Sequence, residues 1–312
     1  MKSRGQFSIF GTSHDLFRKS RSDPAARRLV AAALAVGSIA VTAAQVPSSR
    51  PRVTGINHVA FRVTDAAAAR GFYGEMLGLP ERPSSKTGHI TYAVGSHQTI
   101  VLEPGLPATD DERLSHVAYE TTDIDALTAH LKSRGIDVQR PPTRCQETAI
   151  RVTDADGHPI EFVQVAWPPP AAKPADTRAL STRILHAGAI VRDEQRAHTF
   201  YREALGFREI WRGGRPEGVT RWVNMRVPDG TDYLEYMLVT DPPDRRGRGV
   251  MHHLCLRVPD MQAAWEEVAR RSVRFKQAMP SPPQIGVNGR YQLNLYDPDG
   301  TRVELMEPFT VR

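Results

Sequence analysis

Four histidines stand in matched surroundings: His58 in INHVAFRV, His116 in LSHVAYET, His186 in ILHAGAIV and His253 in HHLCLRVP. Each opens a short apolar, β-branched run and reads as a strand residue. Two positions on, the side chain on the same strand face is small: Ala60, Ala118, Gly188 and Cys255. A single strand histidine is usually a satisfied core residue. Four in equivalent places, each with a small neighbour, point instead to imidazole as a neutral metal ligand. The vacated volume beside each ring would suit a metal and its bound substrate.

Carboxylates recur with them. In LYDPDGTRVELMEP, residues 295–308, a turn at Asp297–Gly300 feeds an apolar run that carries Glu304. Alternation puts Val303 and Leu305 on one strand face and Glu304 with Met306 on the other. A carboxylate turned into a buried sheet requires a cationic partner, a polar network or a metal. The pattern returns after Asp154 in ADGHPIEFVQV, with Glu161 in the same place. Two further strand glutamates are Glu103 in TIVLEPG and Glu235 in DYLEYML; for Glu103 an exposed strand end is the competing reading.

The chain therefore offers His58, Glu103, His116 and Glu161, then His186, Glu235, His253 and Glu304. Two histidines with one or two carboxylates suit Fe2+, Zn2+, Mn2+, Co2+ or Ni2+, with positions left open for a substrate. Aligning HVAYETTD with HLCLRVPD makes His253 the ligand and turns His252 to the opposite face. His89, His97, His130, His158 and His198 lack the pattern and read as surface residues. Phe72, Tyr73, Phe200 and Tyr201 read as helix core, and Arg290 and Tyr291 as pocket lining or surface. There is no Gly-rich phosphate loop and no Gly-x-Ser-x-Gly elbow.

The elements that would position these residues are written twice. Residues 57–79 (NHVAFRVTDAAAARGFYGEMLGL) and 185–207 (LHAGAIVRDEQRAHTFYREALGF) share the histidine, an aspartate, a Phe-Tyr pair and Leu-Gly. His58 and His186 are 128 residues apart, as are Tyr73 and Tyr201, which marks an internal duplication. Each copy divides again, because residues 114 and 253 restart the strand–helix pattern. The unit is strand, helix, then two or three strands, present four times. At 312 residues there is length for two domains: 55–167 and 183–312, joined by a Pro/Ala-rich linker at 168–182.

Charge and cysteine narrow the class. Residues 1–44 hold seven Lys/Arg against two Asp, leaving 34 basic and 33 acidic residues in a near-neutral remainder. The net +6 thus belongs mostly to the leader, and no nucleic-acid partner follows from it. The leader itself, with Arg27-Arg28 before an apolar run from Leu29 to Val41 and small residues after it, reads as a signal peptide. Export to the periplasm or the outside is expected, and an uncleaved leader would serve as a membrane anchor. Residues 45–54 then form a linker. Cys145 and Cys255 lie in different repeats and read as free thiols.

With strand-His, FYxxxLG and DPDGxxVEL assembled, residues 55–308 resemble the vicinal oxygen chelate superfamily, which includes glyoxalase I, extradiol dioxygenases and drug-sequestering proteins of the bleomycin-resistance kind. The resemblance implies an α+β fold of four βαβββ units, paired into two tandem domains with cupped mixed sheets. It implies a divalent metal in a cup that chelates a small-molecule substrate through two adjacent oxygens, with Glu304 or Glu161 also acting as base. A glyoxalase-type lyase or isomerase is the expected activity; an Fe(II) extradiol dioxygenase and a non-catalytic binding protein are the alternatives. Extradiol enzymes carry a tyrosine a few residues before the final turn, where this chain has Asn294 and, in the first copy, Arg151. An exported protein would meet little glutathione, so a substrate other than a glutathione adduct is expected.

Overall fold

The computed structural model describes residues 50–83, 88–107, 109–140, 148–167, 176–241, 243–276 and 278–311. The leader at 1–44, Cys145 and most of the linker lie outside these residues. Among the described residues, no helix is long and apolar enough to cross a membrane.

Each repeat builds one sheet. The first contains β1 (Val53–Val63), β2 (Glu81–Arg82), β3 (Ile90–Val94), β4 (Gln98–Pro104), β5 (Leu114–Thr121), β6 (Ala149–Thr153) and β7 (Pro159–Gln164), in the order β2-β3-β4-β1-β5-β7-β6. The second contains β8 (Ile184–Val191), β9 (Arg208–Gly213), β10 (Trp222–Arg226), β11 (Tyr233–Leu238), β12 (His253–Arg257), β13 (Gln284–Ile285), β14 (Arg290–Tyr296) and β15 (Arg302–Thr310). Its order is β13-β14-β15-β12-β8-β11-β10-β9. In both sheets the central pair is antiparallel, β1 with β5 and β8 with β12, and each central strand has a parallel neighbour outside it. This is the mixed, curled α+β architecture that the resemblance implies.

A fixed spacing joins strand to helix. Seven residues after each histidine stands an aspartate: Asp65, Asp123, Asp193 and Asp260. Each is in extended backbone and accepts from amides of the helix it starts, for example Asp65 from Ala67 N at 2.8 Å and Asp260 from Ala263 N at 2.9 Å. An N-cap of this kind contributes about 1 kcal/mol. The helices so capped are α1 (Ala66–Arg70), α2 (Ile124–Ser133), α3 (Glu194–His198) and α5 (Met261–Phe275); α4 (Arg245–Met251) lies between β11 and β12. Behind α1 and α3 the Phe-Tyr segments continue as π-helical turns, Gly71–Met76 and Thr199–Ala204. The Leu-Gly that follows needs its glycine: Gly78 has φ +67°, and a Cβ there would lie 2.1 Å from Arg178 O.

Strand alternation then separates two faces. Val59, Phe61, Tyr119, Phe162, Leu254, Val303 and Leu305 bury themselves in the main core, while the residues between them face the cups. Tyr73 and Tyr201 are buried as expected, and they also tie the repeats together. Tyr73 donates to Asp297 Oδ2 at 3.1 Å, and Tyr201 to Asp154 Oδ2 at 2.8 Å. The Phe-Tyr motif of each copy thus clasps the turn of the other. Each turn aspartate also accepts two backbone amides through Oδ1, Asp297 from Asp299 N and Thr301 N.

Asp297 carries a testable consequence. Burial pushes its carboxyl up to about 6, against the opposing pull of the Thr301 amide. The native state therefore binds this proton more tightly than the unfolded chain does. Its stabilising effect is complete at low pH and is lost as pH rises from about 4 to about 6, at up to about 1.4 kcal/mol per pH unit. Denaturant midpoints of the wild type should fall relative to Asp297→Asn across that window; parallel curves would contradict the assignment.

Candidate metal centres

Strand register gathers the histidines in pairs. In the first sheet His58 lies opposite Ala118 and His116 opposite Ala60. In the second, His186 lies opposite Cys255 and His253 opposite Gly188. The small residue two positions after each histidine therefore does not clear space beside that ring, as expected from sequence, but beneath the ring of its partner. The tightest case is Gly188, where a Cβ would lie 2.0 Å from the His253 imidazole.

The final glutamates join the same rows, Glu161 opposite Ala118 and Glu304 opposite Cys255. His58, His116 and Glu161 form one buried cluster, and His186, His253 and Glu304 the other. Beyond this the two cups diverge. In the second, Glu235 lies opposite Gly188, with Asn224 next to it and Asn294 next to Glu304. In the first, the strand position opposite Ala60 is Val101, and the neighbour of Glu161 is Arg151.

Glu103 is thus not the counterpart of Glu235, contrary to the sequence expectation. It sits two residues further along β4, partly exposed, where its Oε2 accepts from Ser115 Oγ at 2.8 Å. Its Oε1 is 3.9 Å from His116 Nδ1, the ring nitrogen turned away from His58. The hairpins before the two strands differ in length, so matching the Leu-Glu pairs slipped the register by two.

The second cup has the stronger donor set. His186 Nε2 and His253 Nε2 are 3.0 Å apart. Glu304 Oε2 is 3.4 Å from His186 Nε2, and Glu235 Oε2 is 3.4 Å from His253 Nε2, one carboxylate on each flank. Donors about 2.0–2.2 Å from one ion, at right angles, lie about 3 Å apart, so these separations fit a shared divalent ion. Met251 O lies 2.9 Å from His253 Nδ1 and accepts its proton, leaving the Nε2 lone pair toward the cup. Burial, aided by the charge of Arg302, pushes the His253 imidazole well down, so it is neutral and ready to ligate. Burial alone would raise the Glu304 carboxyl, but the hydrogen bond from His186 and the nearby Arg302 outweigh it and hold the group below its ordinary range. Burial raises the Cys255 thiol, which stays protonated beside the ligands.

In the first cup His58 Nε2 and His116 Nε2 are 2.9 Å apart, and Glu161 Oε2 is 3.5 Å from His116 Nε2. Arg151 takes the other oxygen of Glu161, through Nη2 at 2.5 Å and Nε at 3.0 Å. The single carboxylate of this cluster is already neutralised by a guanidinium.

Several residues differ from their sequence reading. His198 is buried, and His158 is largely so; His158 bonds to Asp154 of its own turn at 2.9 Å and packs edge-to-face on His252 of the second repeat. His252 does face away from the cup, where its Nδ1 meets Glu112 at 2.6 Å. Sequence reasoning passed over Arg302, Trp211 and Trp222, which wall a cavity of about 260 Å³ that opens onto Glu235 and Glu304. The signal was available for Arg302 alone, since it shares the strand face of Glu304 two residues away.

Comparison with known proteins agrees with this architecture. The Glyoxalase/Bleomycin resistance protein/Dioxygenase superfamily model matches residues 55–162 and 183–305, and the chain belongs to that superfamily. Curated relatives match about one repeat's length. Methylmalonyl-CoA epimerase from Mus musculus is 27% identical over 130 residues, 39% of this chain and 71% of the relative. Metallothiol transferase FosB from Shouchella clausii is 29% identical over 116 residues, 35% of this chain and 79% of the relative. Among solved structures, homoprotocatechuate 2,3-dioxygenase from Arthrobacter globiformis has a TM-score of 0.64 at 22% identity, covering 83% of this chain and 80% of its own. The 2,3-dioxygenase LapB from Pseudomonas sp. KL28 has a TM-score of 0.65 at 15% identity, covering 82% and 93%. At these identities the likeness is one of fold.

Proposed function

We propose that the second repeat is the working half of a metal-dependent enzyme of glyoxalase type, a lyase or isomerase. His186, Glu235, His253 and Glu304 would hold one divalent ion and leave positions for a substrate with two adjacent oxygens. The observation that carries this reading is the pair of Nε2 atoms 3.0 Å apart with a carboxylate on either flank. When bound, the ion supplies Lewis acidity that stabilises charge on the substrate oxygens. The chain's own contribution is to orient and to move a proton. Met251 fixes the His253 ring, and Glu304, kept anionic in a buried place, would take a proton from a carbon adjoining a substrate carbonyl, leaving an enolate, and return it to an enolate carbon. The first repeat, with Arg151 on its one cluster carboxylate, has a structural role.

Asn294 favours this reading over ring cleavage. It pairs with Glu304 in register, and an amide cannot give the phenolic proton that the extradiol resemblance implies at that position. The test uses metal-reconstituted protein in D2O with small 2-hydroxy and 2-oxo carbonyl compounds, alongside oxygen uptake with catechols. Deuterium exchange at carbon without oxygen uptake is the expected result. Stoichiometric oxygen uptake with ring opening would replace this reading by the dioxygenase, and tight binding with neither reaction would replace it by a binding protein.

A further inference from the structure

The cavity over the second cup has charged walls that do not balance once an ion is present. The charged side chains lining it are Glu235, Glu304, Arg215 and Arg302, two of each sign. A divalent cation held by the two glutamates would leave Arg302, whose side chain is largely shielded from water, uncompensated, a cost that a bound anion would relieve; Arg215 is exposed and solvated. Arg302 is the better placed of the two. Its Nη2 lies 2.9 Å from both ring nitrogens of His253, Nδ1 and Nε2, and its Nε is buried with no hydrogen-bond partner. The guanidinium thus lies against a prospective ligand ring, its nearest carboxylate oxygen Glu235 Oε2 at 4.0 Å, and its unpartnered Nε is a donor for an acceptor that enters the cup. Oδ1 of Asn294, another cavity-lining residue, has no partner and is an acceptor that a substrate hydroxyl could meet. Trp211 and Trp222 supply flat apolar surface opposite, on β9 and β10.

Building on the reading of this cup as a metal centre, we infer that its substrate is a carboxylate with an adjacent hydroxyl or oxo oxygen on a flat apolar body. Arg302 is the specificity residue that receives the carboxylate, and the two tryptophans receive the body. The first repeat shows no such provision, since Pro159 occupies the strand place that corresponds to Arg302.

The test is ligand binding, read from tryptophan fluorescence of the full chain with and without added Zn2+. The probes are salicylate and its uncharged amide, which share ring and hydroxyl. Salicylate should bind at least about tenfold more tightly than the amide in both forms, more strongly with Zn2+ present. Arg302→Gln should abolish the preference, and Arg302→Lys should keep part of it. Trp211→Phe combined with Trp222→Phe should remove the fluorescence response, with binding then followed by calorimetry. Equal affinity for the two probes, or a preference unchanged in Arg302→Gln, would overturn the inference. Metal content is measured separately, and the metal-free arm reads the arginine's charge even if no ion binds, so failure of the metal reading is distinguishable from failure of this one.

Discussion

Replacing Glu304 with Ala should lower metal affinity of the second repeat by more than about 100-fold and abolish turnover. Losing an outer-shell partner typically costs 10–100-fold in metal affinity, and Glu304 stands closer than that, 3.4 Å from His186 Nε2 and buried. Removing it also leaves the imidazole pair with only Glu235 to offset a divalent charge, in a place too enclosed for water to screen well. Titration of the variant with Co2+, followed by its absorption spectrum, checks this. Glu304→Gln separates the two roles assigned to the side chain. It should lose turnover by a larger factor than it loses metal, because an amide oxygen can still ligate while an amide cannot act as base. Unchanged Co2+ affinity in Glu304→Ala would mean that the carboxylate is structural.

The second large effect is expected at a residue with no chemistry of its own. In Gly188→Ala the added Cβ would lie 2.0 Å from His253 Cε1 and Nδ1, so the ring must leave its place above β8. The ring is held by Met251 O and stands 3.0 Å from His186 Nε2, so its displacement breaks both relations at once. A loss of metal affinity of about 10- to 100-fold is expected, comparable to losing a positioning partner. The reciprocal change, Ala60→Gly in the first repeat, should leave the second site untouched. Metal affinity unaltered in Gly188→Ala would show that the ring relaxes without cost.

Much of this was legible in the chain. The 128-residue offset of His58 and His186 gave the duplication, and the aspartates seven residues past each histidine mark where strand gives way to helix. Pairing of His186 with His253 was implied by their shared strand face and small neighbours. What escaped depends on registers that local spacing does not encode. Glu103 and Glu235 sit in similar Leu-Glu contexts, yet strand pairing places Val101, not Glu103, in the row of the ligands. Arg302 is a different case: it shares the strand face of Glu304 two residues away, but its place just after a turn gives it the look of a solvated cation. The bond from Tyr73 to Asp297 spans 224 residues and arises only when the two sheets meet. His158 meets the second repeat through an edge-to-face contact with His252, 5.1 Å between ring centroids, which is why a histidine outside the ligand pattern is nevertheless largely buried.

The central claim is that one cup, the second, holds the metal. Its most direct test is elemental analysis of the purified, reconstituted wild type beside His253→Ala and His116→Ala. The expected result is about one divalent ion per chain in the wild type and in His116→Ala, and none retained in His253→Ala. Two ions per chain, loss of the ion in His116→Ala, or no stoichiometric metal in the wild type would contradict the account.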